Sequence, residues 1–441
     1  MGTMMLFKLG YFIKRPQVLK SYHSILSNES KGLEFIFDQQ NAQLRRLICY
    51  SVENVPYYSK LFNRLNLTSE DIKCSKDLEK LPILTKEDIK KSPSSFISKK
   101  LEKYVLGSTG GSTGVPLKYR MSEECYSRGV ALLYRGWGFA GYRLGEKVST
   151  IAGASLLPSL PSFKSKMQDL ILNIRHYSSY GMGEKELNQY YTHLQKWNPL
   201  FLRGYASSLY LLAKFMERNN LKLNYQIKGI FSTAEVITNN QKILIEKVFG
   251  AKVYNQYGLN DGGISAYECS MHNGMHIDFE RAILEVVDSE AKQIQNKDGK
   301  ILATSLYNYA MPFIRYDTGD IGKIANDSCP CGCPRPLLKE ICGRKTDYLK
   351  LNGKYIGSPQ LTVLMGKIDL EYYQIIQKSS NEVEVNMIIG NNFTEQDKDF
   401  IVKSFTEHVG ELKINFKCLN YLDPKVVNKN KHKFIINEVC Q

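Results

Sequence analysis

The chain reads as a layered α/β protein, with a large N-terminal domain (residues 1–342) that carries a β-rich subdomain and a small α+β domain (residues 343–441). Three observations predict this. Through the middle of the chain short β-rich runs alternate with helical ones, the pattern of a sheet covered by helices. Between His276 and Ala325 the pattern becomes β-dominated. After about residue 343 a fresh set of strands and one helix begins, and 441 residues exceed what one simple core holds.

Residues 1 to about 100 are expected to be helical. LEFIFDQQNAQLRRLICYSV places apolar residues at helical spacing, and LPILTKEDIKKS offers Thr85 as an N-cap before a charged helix. A Gly-, Ser- and Thr-rich stretch, VLGSTGGSTGVPLKY, follows at 105–119, flanked by strand character on one side and by a helix over Glu123 to Tyr142 on the other. The aromatics of YRGWGFAGY, Trp137 and Tyr142 among them, read as helix packing. KVSTIAG, NPLFLRGYASSLYLLAKFMERN, KGIFSTAEVI, NNQKILIEKVFG and KVYNQYG then alternate strand and helix. ILEVVD and KILATSL are strands joined through the turn-rich SEAKQIQNKDG. The last hundred residues supply GRKTDYLKLNGKYI, EYYQIIQ, NEVEVNMIIG, a helix near 394 to 409, and KINFKCLNYL.

Composition narrows the function classes. The net charge of +15 comes from Lys residues spread along the chain, and no nucleic-acid motif accompanies them, so a solvated basic surface is expected and a nucleic-acid partner is not. No apolar run is long enough to span a bilayer. MGTMMLFKLGYFIKRPQ has no basic residue ahead of its apolar stretch, and Leu6 stands where a myristoylation signal requires Ser or Thr. A cytoplasmic protein is expected, with its ten cysteines reduced.

Five motifs carry chemistry. STGGSTG is not a Walker loop, because Val115-Pro116 follows Gly114. Its glycines Gly110, Gly111 and Gly114 nevertheless free backbone N–H groups for an anion, and Ser108, Thr109, Ser112 and Thr113 add hydroxyl donors; a flexible linker is the competing reading. In NQYGLNDGG, Tyr257 and Gly258 offer a ring and a close approach to a base, and Asp261 offers a carboxylate to a hard cation such as Mg²⁺. In IRYDTGDIG, Asp320 falls in a Thr-Gly-Asp turn, placed either to accept two ribose hydroxyls or as a plain Asx turn between strands. Gly343 and Arg344 open the small domain, and Lys431 in KVVNKNKHKFII precedes a β-like run. Finally, Cys329, Cys331 and Cys333 in SCPCGCPRP and Cys269, His272 and His276 in ECSMHNGMH form two short clusters of the type a structural Zn²⁺ needs, against a reading as unliganded thiols.

Taken in order, STGGSTGVP, FSTAEVI, YGLND, YDTGD, GRKTD and a C-terminal Lys resemble the adenylate-forming, acyl-CoA synthetase-like superfamily, and most closely its phenylacetate–CoA ligase branch and the CapK-type proteins of surface-polysaccharide clusters. VPYYSKLF, LPILTKEDI and EYYQIIQ extend the resemblance over nearly the whole chain. The resemblance implies that Ser112, Thr113 and their glycines close over the ATP phosphates, that Ala234 and Glu235 line the adenine pocket with Tyr257, and that Asp261 holds Mg²⁺. It implies further that Asp320 binds the ribose, Arg344 approaches from the hinge and Lys431 is the mobile adenylation lysine. A zinc cluster beside the active site is implied too, with Cys269, His276, Cys329 and Cys331 as ligands and His272 and Cys333 as substitutes.

The chain departs from relatives at Asp261 (usually Glu), Asn430 (usually Gly), Thr346 (usually acidic) and Leu117 (often Lys). The implied chemistry is attack of a carboxylate on ATP to give an acyl-adenylate, followed by rotation of the small domain and transfer to an acceptor. In a capsule setting the acceptor is expected to be an amine, such as an amino acid or nucleotide sugar. An acyl- or aryl-CoA ligase using a thiol, and a non-catalytic nucleotide- or sugar-binding scaffold, are the alternatives.

Overall fold

The computed structural model describes residues 10, 16–29, 31–100, 102–108, 117–152, 169–179, 182–237, 239–325, 327–344, 348–352, 354–357, 361, 364–365, 368–390, 392–419 and 435–439. They form two compact units. The first comprises Met1–Glu235, Leu244–Thr318 and Gly322–Glu340, and the second Val236–Ile243, Gly319–Ile321 and Ile341–Gln441.

The first unit opens with helices, as expected. α1 (Pro16–Asn28) precedes α2 (Leu33–Asn54), whose buried positions Ile36, Gln40, Leu44, Leu47, Ile48 and Ser51 form one stripe at helical spacing. Gln40 sits in that stripe because its amide donates to the carbonyls of Phe279 at 3.3 Å and Ala282 at 3.1 Å. Pro56, unable to donate an N–H, starts α3 (Pro56–Leu65) directly after α2 ends. Thr85 caps α4 (Lys86–Lys91) through a full capping box: the Asp88 amide donates to Thr85 Oγ1 at 3.2 Å, and that hydroxyl donates to the Asp88 carboxylate at 2.6 Å. These helices share a core with Phe96, Phe313 and Tyr316.

β1 (Tyr104–Ser108) pairs antiparallel with β2 (Lys118–Ser122), and α5 (Glu123–Gly138) follows at once from its Ser122 cap. The Gly/Ser/Thr stretch therefore connects two strands of a hairpin; the strand-to-helix junction expected from the sequence lies one element later. Trp137 and Tyr142 are core, with Trp137 stacked on Phe231 at 5.0 Å and Tyr142 stacked on Tyr134 at 6.0 Å.

The sheet of this unit is built from β3 (Val148–Ala152), β4 (Ile174–Ser178), β5 (Phe201–Tyr205), β6 (Gly229–Thr233), β7 (Val253–Gly258), β8 (Ser265–Glu268), β9 (Met275–Ile277), β10 (Ala282–Val287), β11 (Gly299–Ser305), β12 (Tyr316–Ala325) and β13 (Leu337–Arg344). Among the described residues the strand order is β10-β11-β12-β13-β9-β8-β7-β6-β5-β3-β4. β4, β3, β5, β6 and β7 run parallel; from β7 to β8 to β9 the pairing turns antiparallel. α6 (Glu184–Trp197), α7 (Ala206–Arg218) and α8 (Asn239–Phe249) are the crossovers that parallel pairing demands.

The second unit pairs β14 (Tyr348–Leu351) with β15 (Lys354–Gly357) and orders β16 (Leu370–Ser379), β17 (Glu382–Ile389), β18 (Lys413–Cys418) and β19 (Ile435–Asn437) as β18-β17-β16-β19. α9 (Glu395–Val409) packs Ile401, Phe405 and Val409 with Val383, Val385 and Ile435, a core of its own.

Candidate active site and metal cluster

Several of the motif residues expected from the sequence lie where the parallel strands end, the edge at which open α/β sheets bind ligands. Ser108 closes β1 in register with Lys118; Gly107, opposite Tyr119, has no room for a Cβ because that ring occupies the space. Thr109, Gly110, Gly111, Ser112, Thr113 and Gly114 lie outside the described residues. Leu117 is buried in the N-terminal core with Phe313 and Tyr316, so its apolar character serves packing.

Ala234 follows β6 with φ of +66°, a left-handed conformation that costs a non-glycine residue energy and marks a held loop. The adjacent Glu235 accepts the Ser207 amide hydrogen at 2.9 Å, tying the end of β6 to the start of α7. Tyr257 and Gly258 end β7, and the chain turns through Asp261, Gly262 and Gly263 into β8. Gly263 has φ of +71° and lies against Ser305, while a Cβ on Gly262 would meet Ala303 at 2.8 Å; both glycines are required by the turn. That turn carries Asp261 inward. Its carboxylate is buried, accepts the Tyr316 hydroxyl at 2.9 Å, and has no cation paired with it among the described residues. Burial, then the charge of Asp261, pushes the Tyr119 phenol well above its ordinary pKa, so Tyr119 stays protonated beside it.

Asp320 lies inside strand β12, where a Thr-Gly-Asp turn was expected; Gly319, at φ of +78°, supplies the irregular backbone within a continuous strand. Arg344 is the last residue of β13 and does not begin a new element. Lys431 falls outside the described residues.

The two cysteine and histidine clusters come together. The donor atoms of Cys269, His276, Cys329 and Cys331 all lie within 4.8 Å of one another. Cys269 Sγ and Cys329 Sγ are 3.6 Å apart, and Cys331 Sγ is 3.3 Å from His276 Nε2. A tetrahedral Zn²⁺ with Zn–S of about 2.3 Å has edges of roughly 3.5–3.8 Å, so the donor set fits that ion. The Cys333 amide points at Cys331 Sγ at 3.4 Å, and Gly332, at φ of +81°, permits the tight thiolate turn. Burial raises the Cys269 thiol to about 12; Cys333, which burial alone would raise, is brought down to about 7 by hydrogen bonding to His276 and the Arg335 amide and by the nearby charges. His272 sits apart from the four, 3.2 Å from Glu268 and against the Tyr254 ring.

Three features were not read from the sequence. The Tyr316–Asp261 bond joins two motifs read as separate. Buried pairs Arg135–Asp278 and Arg335–Glu280 stand near the cysteine cluster, with Ser265 donating to Asp278 at 2.5 Å. Arg203, on β5, is a half-buried cation with no carboxylate paired to it among the described residues.

No family model matches the chain. CapK of Staphylococcus aureus is 27% identical over 416 residues, covering 92% of this chain and 90% of that protein. A phenylacetate–coenzyme A ligase of Thermus thermophilus is 24% identical over 371 residues, covering 80% and 81%. Among solved structures, 2-hydroxyisobutyryl-CoA ligase in the postadenylation state, bound to R3-HIB-AMP, superimposes with a TM-score of 0.76 at 19% identity over 93% of this chain and 91% of that one. The chain has the fold of this adenylate-forming CoA ligase. In sequence it is similar along most of its length to CapK and to phenylacetate–coenzyme A ligases, and the class these comparisons support is an ATP-dependent, adenylate-forming ligase.

Proposed function

We propose that the chain condenses a carboxylic acid with Mg·ATP, releasing pyrophosphate, and passes the resulting acyl-adenylate to an amine to form an amide in cytoplasmic steps of surface-polysaccharide synthesis. The observation that carries the reading is the Tyr316–Asp261 bond: it binds the YGLND turn to the strand bearing YDTGD, two motifs that a nucleotide needs in one place. Kinship with CapK along most of the chain supports the polysaccharide setting.

In this reading Ser108, Thr109, Gly110, Gly111, Ser112, Thr113 and Gly114 hold the phosphates. Ala234, Glu235, Tyr257 and Gly258 hold the adenine. Asp320 takes the ribose hydroxyls, and Arg344 lies at the boundary of the small domain. Asp261 would hold Mg²⁺, which neutralises phosphate charge when bound. Lys431 supplies a positive charge to the developing oxyanions of adenylation. Cys269, His276, Cys329 and Cys331 would hold a structural Zn²⁺ that clamps the loop after β12 to β8 and β9.

A second reading, transfer to the thiol of CoA, is favoured by relatives that are phenylacetate–coenzyme A ligases. Pyrophosphate release across a panel of acids, with amines and with CoA as acceptors, separates the two. Turnover that requires an amine and ignores CoA is the expected result; CoA thioester formation supports the second reading, and ATP binding without pyrophosphate release from any acid overturns both.

A further inference from the structure

Arg203 and His176 carry the inference. Thr150 of β3 is in register with Arg203 of β5 on one side and with His176 of β4 on the other. Register partners in parallel strands project from the same face, so the three side chains form a row, with Arg203 and His176 about 9.6 Å apart at the backbone. Arg203 lies under α5, its guanidinium 5.5 Å from the Trp137 ring.

The row contains two sealed nitrogens without a partner among the described residues. Arg203 Nε is sealed from solvent and has no hydrogen-bond partner among the described residues. Burial pulls the pKa of this guanidinium down, and the phenols of Tyr267, Tyr134 and Tyr205 pull it back; among the described residues no carboxylate acts on it. His176 Nδ1 is likewise sealed and unpaired among the described residues, while its Nε2 stands 3.6 Å from Asp169 Oδ1. Burial first, and then the charge of Arg203, lowers His176 to about 4, so the ring is neutral and its unprotonated state costs nothing at physiological pH. Stacking on Trp137 satisfies one face of the guanidinium but none of the N–H donors in its plane. A half-buried guanidinium whose sealed Nε has no partner among the described residues calls for an acceptor that carries charge, and the sealed Nδ1 of His176 lies on the same face.

The row lies where a substrate acid would reach. Two residues beyond Arg203, about 6.6 Å along the strand, β5 ends at Tyr205, and Ser207 after it donates to Glu235 of the adenine loop. The strands β3, β4, β5 and β6 all present their carboxyl ends at that edge.

We propose that Arg203, with His176 beside it, is the floor of the acid pocket and binds a second carboxylate, so that the substrate is a dicarboxylic acid activated at its other end. The identity of the reacting end rests on the adenylation reading above; the second-carboxylate site does not. Arg203 is a specificity residue here, since a site built around buried donors rejects an analogue lacking the acceptor.

The test compares succinate, glutarate and adipate with butyrate, pentanoate and hexanoate, by pyrophosphate release with Mg·ATP and by melting temperature without ATP. Dicarboxylates are expected to show a KM at least about tenfold lower than monocarboxylates of equal length, and to raise the melting temperature alone. Arg203→Met is expected to abolish that preference, and Arg203→Lys, which keeps the charge but loses the planar fork, to weaken it several-fold, which serves if the Met variant does not fold. Equal use of both series, or a preference unchanged in both variants, overturns the inference and leaves adenylation standing. Dicarboxylate stabilisation that Arg203→Lys weakens, with no pyrophosphate from any acid, keeps the site and removes adenylation. Dicarboxylates that neither stabilise the protein nor outperform monocarboxylates refute it.

Discussion

The hydroxyl of Tyr316 donates to Asp261 Oδ2 at 2.9 Å, across 55 residues of sequence. The bond has two ends with different duties. Tyr316 is also part of the core that the N-terminal helices share with Phe96 and Phe313, so the position of the carboxylate is set by packing. Tyr316→Phe keeps that packing and removes only the donor. The expected loss is about 1.5–3 kcal/mol in urea unfolding, the range for hydrogen bonds to charged groups. The Mg²⁺ concentration required for pyrophosphate release is expected to change with it. Unaltered stability would mean that solvent replaces the bond.

Arg315, one residue earlier, is buried at φ of +56° and fans its donors into three partners: Glu285 Oε1 at 3.2 Å, the Leu81 carbonyl at 2.7 Å and the Ala291 carbonyl. Removing it strands the Glu285 carboxylate, whose pKa burial already raises. Arg315→Met is expected to cost about 3–5 kcal/mol by denaturant unfolding. Adding Glu285→Gln is expected to recover part of that loss, a coupling the double-mutant cycle reads directly.

For the cysteine cluster, elemental analysis is expected to find about one zinc per chain, held by three thiolates and one imidazole. Cys329→Ser with Cys331→Ser is expected to abolish it and to lower the melting temperature, as does chelation of the wild type. Wild-type protein purified free of zinc, at an unchanged melting temperature, removes the assignment.

Glu79 gives a pH signature. Burial alone would raise its pKa, but hydrogen bonds from Lys76, the Gln293 amide and Lys292 outweigh burial and hold it at about 2, below the ordinary 4.5. An acid with a depressed folded pKa adds stability that is present above 4.5 and is lost as the pH falls through about 2. Glu79→Gln is therefore expected to flatten the acid limb of the stability curve in that window, measured by urea unfolding at stepped pH. A limb of unchanged slope counts against the ion pairs.

Local chemistry was legible in the sequence where neighbours in the chain decide the outcome. The Thr85 capping box needs only Asp88, and both stand within one turn. β4 escaped notice because IRHYS is short and mostly polar, and it forms only beside β3. Asp320 was expected in a turn because Thr-Gly-Asp favours one; pairing along the ten residues of β12 overrides that preference, and Gly319 absorbs the irregularity. The convergence of Cys269, His276, Cys329 and Cys331 was legible because cysteine and histidine stand in two short clusters. Arg203 was not, since a lone Arg in a strand says nothing until strand register reveals what faces it. Thr109 to Gly114 and Lys431 lie outside the described residues, and their roles rest on sequence kinship.

The hairpin of β1 and β2 separates two duties that most binding loops combine. Five consecutive pairs, from Tyr104–Ser122 to Ser108–Lys118, set where the connecting stretch departs and returns, whatever residues fill it. Ser122 then fastens the same hairpin to the body by donating to the Tyr307 carbonyl while its own amide donates to Asn308. The mounting is thus independent of its cargo. Segment 109–116 can be exchanged for that of a relative as a cassette without refitting the frame that carries it; under the proposed function, such an exchange alters the grip on the nucleotide.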